Sequence, residues 1–205
     1  MSQARARLAS VIPLRREGTS LAEVSDEGLL AACATGDRAA RAALFERHVD
    51  GLHRFVRRMT AADADAVDDL VQNTFIEAFR CAGTFRHDGR ARTWLYGIAV
   101  NVVRNYARRE IRRKQALGEL ERAAVAPTHV GAERRVLAHR LEQLVPALRP
   151  DLREAFVLVD VEGLSGAEAA AAAGVPEGTL WRRLHDARKV LRLSLIHISE
   201  PTRPY

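Results

Sequence analysis

Residues 164–191 read LSGAEAAAAAGVPEGTLWRRLHDARKVL and carry the sharpest local signal of structure in the chain. Ser165 and, three residues later, Glu168 form the pattern of a capping box, which starts a helix. Gly174 can adopt the left-handed backbone conformation that ends this helix, and Pro176 suits the first turn of the next one. Two helices joined by so short a turn predict a helix-turn-helix, with an ordinary helical hairpin of basic exterior as the alternative.

The second helix of this motif has an apolar side and a polar side. Leu180, Leu184 and Leu191 recur at helical spacing, so we expect them to pack inward. The opposite side is basic, which suits the major groove of duplex DNA. The residues of this helix that we expect at the DNA are Thr179, Trp181, Arg182, Arg183, His185 and Arg188.

Helical patterns also cover the first half of the chain. Ser25 and Asp37 are placed to cap the first two helices, and further helices are expected over residues 64–80 and 92–115. The second helix should bury an apolar stripe made of Phe45, Val49, Leu52, Val56 and Met59. The third should bury Val67, Leu70, Val71, Thr74, Phe75 and Ala78.

Periodicity fades around Gly118, Pro127 and Gly131, which is typical of a linker. The sequence therefore predicts an all-α fold, with two small helical domains joined by a flexible linker and a helix-turn-helix in the second. The predicted divisions are a disordered basic extension at 1–24, a first domain at 25–115, the linker at 116–131, a second domain at 132–193 and a non-native or disordered tail at 194–205.

The third predicted helix carries a polar face opposite its core, made of Asp69, Gln72, Asn73 and Ile76. An exposed isoleucine among polar side chains is typical of a protein-binding surface. Acidic residues at the start of this helix have another explanation, because they stabilise the helix dipole.

The fourth predicted helix lies in a strongly basic stretch. Residues 85–114 hold nine Arg or Lys and two acidic residues, whereas the whole chain has a net charge of +6. Arginines bind phosphates, aromatic rings stack on unpaired bases, and an amide such as Asn101 can read a base edge. We therefore expect single-stranded or melting DNA at Tyr96, Asn101, Arg104 and Arg108, although Phe85 and Trp94 suit the core equally well.

The sequence offers nothing for catalysis or for a bound cofactor. Its 2 cysteines are far apart, and no nucleophile–base pair, glycine-rich phosphate loop or metal-ligand cluster occurs at a useful spacing. No apolar run approaches the length of a membrane span. We expect a cytoplasmic protein that is not an enzyme, with no cofactor, no metal and no membrane insertion.

Residues 67–79, 85–86, 93–101 and 164–191 together resemble region two and region four of extracytoplasmic-function sigma factors of bacterial RNA polymerase. The resemblance implies that Asp69, Gln72 and Asn73 face the β′ clamp helices of the core polymerase. It implies that the Tyr96–Arg108 surface binds the minus-ten promoter element and that the helix with Arg182 reads the minus-thirty-five element. The β flap and an anti-sigma factor are further partners that it suggests.

The chain departs from the family pattern at Asn73, where a glutamate is usual, and at Trp181 and Asp186, where basic residues are common. These departures concern the polymerase contact and the DNA sequence that is read. Two other functions stay open at this point. One is a helix-turn-helix regulator that binds duplex DNA without polymerase, and the other is a sigma-like decoy that sequesters an anti-sigma factor.

Overall fold

The computed structural model describes residues 21–60, 62–86, 90–116 and 144–199, with side chains up to residue 192. These residues form seven α-helices and no strand, so the all-α prediction is confirmed. The helices are α1 (Asp26–Ala34), α2 (Arg38–Met59), α3 (Ala64–Cys81), α4 (Ala91–Ala116), α5 (Pro150–Phe156), α6 (Gly166–Ala173) and α7 (Glu177–Ser199).

Helices α1–α4 form one unit, in which α2 is buried along its length by different neighbours. Its first half packs with α1 through Ala40 and Leu44, and its second half packs with α3 and α4 through Leu52 and Phe55. The predicted stripe was wrong at Phe45, which is partly exposed, because the buried side of α2 rotates where its neighbours change. All six residues predicted to be buried on α3 are buried.

The predicted helix starts are confirmed where side chains cap them. The Ser25 hydroxyl accepts a hydrogen bond from the Gly28 amide at 3.2 Å. Asp37 accepts hydrogen bonds from the amides of Ala39 and Ala40 at 2.8 and 3.1 Å. Each cap satisfies amide groups that have no partner inside the helix, so the sequence fixes where α1 and α2 begin.

Helices α5–α7 form the second unit and contain the predicted helix-turn-helix. The Ser165–Glu168 capping box is present at the start of α6, and Gly174 ends that helix with φ at 63°. Leu180, Leu184 and Ala187 on α7 are buried against α5 and α6. A π-helical turn, Val157–Val161, continues α5 toward the motif.

Parts of the first and the last predicted segments lie among the described residues. Within the predicted extension, residues 21–24 are placed by Arg47, which donates to the carbonyls of Leu21, Ala22 and Val24. Helix α7 continues to Ser199, six residues into the predicted tail. The predicted linker, except its first residue, lies outside the described residues, as do residues 1–20 and 200–205.

The two units pack directly on each other. Helix α6 lies along α4, and one continuous apolar cluster includes residues of both units, among them Val103 on α4 and Ala169 on α6. A Cβ atom placed on Gly97 of α4 would lie 3.5 Å from the Ala172 backbone, so the two helices approach closely there. Within the described ranges, no helix has both the length and the apolar character that a membrane span needs.

Candidate nucleic-acid interface

The outer face of α7 is open to solvent. Trp181, Arg182 and His185 are exposed on it, as the sequence predicts. The Trp181 indole donates to Glu177 at 3.1 Å, and its ring lies so close to Gly166 that a Cβ there would be 2.5 Å from it. Trp181 is thereby held across the start of α6, which gives the exposed face of α7 a fixed aromatic edge.

The other residues of α7 that we expect at the DNA are paired with acidic side chains or partly buried. Arg188 makes two hydrogen bonds to the Asp160 carboxylate, at 2.9 and 2.6 Å. Arg183 is half-buried, with its Nε 3.9 Å from an oxygen of Asp151, and Thr179 is partly buried at the start of the helix. These two bonds use the Nε and Nη2 atoms of Arg188, so a DNA contact through the same two atoms requires the pair with Asp160 to open.

The predicted protein-binding face of α3 is exposed at all four positions, Asp69, Gln72, Asn73 and Ile76. Ile76 is 60% exposed, and polar side chains surround it on this face. A groove of about 560 Å³ between α3 and α4 is lined by Asp69, Asn73 and also Asn101. The structure therefore brings one predicted DNA residue to the edge of the predicted protein-binding face.

The four predicted DNA residues of α4 fall into two pairs. Asn101 and Arg108 are exposed, whereas Tyr96 is buried and Arg104 is half-buried against the second unit. The Tyr96 ring stacks on Phe55 with ring centroids 4.2 Å apart and planes 10° from parallel. In the packed arrangement, only the first pair is available to a nucleic acid.

Glu162, which follows the π-helical turn, lies at the centre of one polar cluster between the units. Its carboxylate accepts hydrogen bonds from the Tyr96 hydroxyl at 2.7 Å, from Arg92 at 3.0 Å and from Arg58 at 3.2 Å. Burial, together with the hydrogen bond to this carboxylate, raises the pKa of Tyr96 to about 12. The phenol therefore keeps its proton at neutral pH and acts as a donor.

Glu154 on α5 forms the second cluster. It is buried, and both of its oxygens accept from the Arg104 guanidinium, one of them at 3.0 Å. Arg104 also donates to the Ala173 carbonyl at 2.8 Å, which satisfies the end of α6. Burial raises the pKa of Glu154, and the contact with Arg104 opposes this.

Arg153, next to Glu154, joins the units in a different way. Its buried guanidinium donates to the Met59 carbonyl in the first unit at 3.0 Å. It also donates to the carbonyls of Val145 and Leu148, at 3.1 and 2.9 Å, and to that of Pro146. One side chain thus satisfies four carbonyls around the start of α5 and the end of α2.

Sequence reasoning missed Arg58, Arg92, Glu154 and Glu162. A usable signal existed for Glu154, because Arg153 and Glu154 interrupt an otherwise apolar stretch, and charges in such a place are usually paired when buried. Glu162 offers no comparable signal, since its partners lie 66 or more positions away in the chain. Among the described residues, no group of His, Cys, Asp and Glu side chains could hold a metal ion.

Comparison with known proteins agrees with this architecture. The Sigma-70 region 2 family matches residues 44–113, and the Sigma-70, region 4 family matches residues 138–191. The first match covers most of α2–α4, and the second covers α5–α7 up to Leu191.

Similar curated proteins carry both regions of similarity at once. The ECF RNA polymerase sigma factor SigM of Mycobacterium tuberculosis is 36% identical over 171 residues, which span 81% of this chain and 82% of SigM. The ECF RNA polymerase sigma-E factor of Escherichia coli K12 is 31% identical over 180 residues, which span 82% of this chain and 93% of that protein.

Two solved structures are similar over most of the fold. CnrH in complex with the cytosolic domain of CnrY aligns with a TM-score of 0.60 at 29% identity, over 85% of this chain and 99% of CnrH. The sigma factor RpoE of Bartonella quintana, in complex with the anti-sigma factor NepR, aligns with a TM-score of 0.61 at 25% identity, over 76% and 96% of the two chains.

Proposed function

Because the chain belongs to the ECF family of RNA polymerase sigma factors, we propose that it directs core polymerase to promoters through three separate surfaces. The first binds polymerase, the second binds the minus-ten element and the third binds the minus-thirty-five element. The observation that carries this proposal is the order of the two sigma regions along one chain, each with an exposed surface of suitable chemistry.

The polymerase-binding surface is the exposed face of α3, made of Asp69, Gln72, Asn73 and Ile76. Its exposed Ile76 and neighbouring carboxylate and amides suit a helical protein partner, for which we propose the β′ clamp helices. Asn73 offers an amide in place of the usual carboxylate, so the charge of this contact rests on Asp69. We assign the β flap to the second unit.

The promoter-binding surfaces lie on α4 and α7. On α4 we propose that Asn101 reads a base of the minus-ten element and that Tyr96, Arg104 and Arg108 support the strand. On α7 we propose that the minus-thirty-five duplex is contacted by Thr179, Trp181, Arg182, Arg183, His185 and Arg188. The chain acts in the cytoplasm with polymerase, which supplies the catalysis.

Run-off transcription tests this proposal directly. Purified core polymerase, the chain and a library of promoter fragments should give transcripts that depend on the chain. Asp69→Arg should abolish them by placing a cation in the polymerase contact. Asp50→Arg, which makes the same charge change at an exposed position on α2, should leave them unchanged. Chain-dependent transcripts that survive Asp69→Arg would reject the assigned polymerase surface.

Binding assays with duplex DNA, core polymerase and an anti-sigma factor, run beside the transcription assay, separate the two other functions. Tight duplex binding without any binding of polymerase would favour a helix-turn-helix regulator. Binding of polymerase and of an anti-sigma factor without transcripts would favour a decoy. We also propose an anti-sigma factor as a partner, because the groove of about 730 Å³ between α4 and α6 is largely apolar and both similar structures are of complexes, one of them with an anti-sigma factor.

A further inference from the structure

Three hydrogen-bond donors of the first unit converge on a single carboxylate of the second. Arg58 comes from the end of α2, and Arg92 and Tyr96 come from adjacent turns of α4. All three reach the Glu162 side chain within 3.2 Å, and Arg92 also donates to the Glu162 carbonyl at 2.7 Å. Arg92 and Tyr96 contact each other at 3.2 Å, so the cluster is one connected site.

The cluster is built to hold an anion with two oxygens. The Tyr96 ring stacks on Phe55, and the Arg92 guanidinium lies over the Tyr96 ring, 5.2 Å from its centroid. The Glu162 side chain is only 10% exposed, whereas those of Arg58 and Arg92 are 38% and 49% exposed. If the second unit moved away, the Glu162 carboxylate would leave with it, and the guanidinium groups of Arg58 and Arg92 would remain on the first unit.

We propose that Arg58, Arg92 and Tyr96 form a binding site for a backbone phosphate of promoter DNA, and that Glu162 fills this site when the two units are packed together. This inference rests on the proposed function, since the strand in question is the one bound along α4. A phosphodiester offers two charged oxygens at a spacing similar to that of a carboxylate, and arginine and tyrosine are common donors to it.

The second polar cluster supports the same conclusion independently. Arg104 lies two to three turns further along α4, and it too is occupied by an acid of the second unit, Glu154. The exposed Asn101 lies between the two clusters in sequence. Both acids of the second unit therefore pair with arginines of α4, and one of these, Arg104, is among the residues that we propose for the promoter strand.

The packed arrangement should lower the apparent affinity of the free chain for single-stranded DNA. When a binding-competent state is only partly populated, the apparent affinity falls by the fraction that is populated. Glu162→Gln removes the charge that competes for the site while keeping the size of the side chain. Its expected effect is a gain in affinity of about 3- to 10-fold, if about a tenth to a third of the wild-type chain is open.

The experiment measures fluorescence anisotropy of a labelled single-stranded 20-mer of mixed sequence, with the full chain, over a range of KCl concentrations. Glu162→Gln should bind more tightly, and the dependence of log affinity on log salt should steepen by about 0.7 for each additional phosphate that is bound. Glu46→Gln is the matched control, because it makes the same charge change at an exposed position on α2. The gain in affinity from Glu46→Gln should be clearly smaller than the gain from Glu162→Gln.

A second substitution identifies the site. Adding Arg58→Gln to Glu162→Gln should remove the gain and return the salt dependence toward that of the wild type, whereas Arg58→Lys should retain most of both. Circular dichroism and thermal melting of each variant verify that it is folded. A gain equal to that of Glu46→Gln, or a gain that persists with Arg58→Gln, would overturn the proposal.

Failure of this inference can be told apart from failure of the proposed function. Run-off transcription by the wild-type chain reports on the function alone. Transcripts without any gain from Glu162→Gln would leave the sigma function standing and reject the phosphate site. A gain that depends on Arg58, without transcripts, would support the site and reject the function.

Discussion

Helices α4 and α7 both carry a predicted DNA-binding surface, but the two surfaces differ in their exposure to solvent. The outer face of α7 is exposed, with Trp181, Arg182 and His185 in solvent. The corresponding face of α4 is partly covered by α6, and its Tyr96 and Arg104 are bound to acids of the second unit. The α7 surface is available in the packed chain, whereas Tyr96 and Arg104 on α4 become available only if the units separate.

The difference has a physical cause. Helix α7 turns its apolar side, including Leu180 and Leu184, toward its own unit, and none of the helices that the structure describes covers its polar side. Helix α4 has buried side chains toward α2 and α3 and also a small-residue surface at Gly97, which allows α6 to approach. A polymerase that spaces the two units apart would uncover α4 without any change in α7.

The largest expected effect concerns the side chain that joins the units. Arg153→Ala should destabilise the second unit and the contact between units by about 3 kcal/mol, because it leaves up to four carbonyls without their buried donor. Urea denaturation followed by circular dichroism measures this. Arg149→Ala, at an exposed position of the same segment, should cost less than about 0.5 kcal/mol. Equal costs for the two variants would contradict the role given to Arg153.

A smaller effect is expected from a change that concerns α7 alone. Gly174→Ala should cost about 1 kcal/mol, because φ of 63° is unfavourable for a residue with a Cβ atom. It should also weaken duplex binding by tilting α7, while leaving single-strand binding by α4 unchanged. Gly178→Ala, where a Cβ atom would meet nothing within 4 Å, should not destabilise the protein. Thermal melting and anisotropy with both kinds of DNA distinguish the two variants.

The smallest signal comes from one phenol at the covered surface of α4. The pKa of Tyr96 is about 12 in the folded chain, above the ordinary value near 10. The protonated phenol therefore contributes fully to the stability of the fold below pH 10, and this contribution is lost as the pH rises toward 12. Glu162→Gln should lower this pKa by removing the carboxylate that accepts the phenolic proton. Ultraviolet titration of phenolate, with Tyr96→Phe to assign the step among 3 tyrosines, measures the change. An unchanged Tyr96 pKa in Glu162→Gln would contradict the packed arrangement.

The difference between α7 and α4 also explains which features of the structure could be predicted from the sequence. The helix-turn-helix is specified by neighbours in the chain, Ser165 with Glu168 and then Gly174, so its geometry could be predicted residue by residue. The exposure of Asp69 and Ile76 on α3 likewise follows from helical periodicity. These are local properties, and the structure agrees with them.

The covering of α4 could not be predicted in this way. Tyr96 was expected at the DNA because aromatic and basic residues share its helix, yet its immediate partner is Glu162, 66 residues away. Glu162 resembles any solvated acid in the sequence, because its burial depends on how two separate units pack. The stripe on α2 failed at Phe45 for a related reason, since the buried side of that helix depends on which helices flank each half.

The most direct test of the packed arrangement is a distance measurement between the units. Spin labels at Ala42→Cys on α2 and Lys189→Cys on α7, with Cys33→Ala and Cys81→Ser, report that distance by pulsed electron resonance. The free chain should give a dominant narrow component with a minor longer one, Glu162→Gln should increase the longer component, and saturating core polymerase should leave only a longer distance. A distance distribution that stays the same when polymerase is bound would contradict the separation of the two units by polymerase.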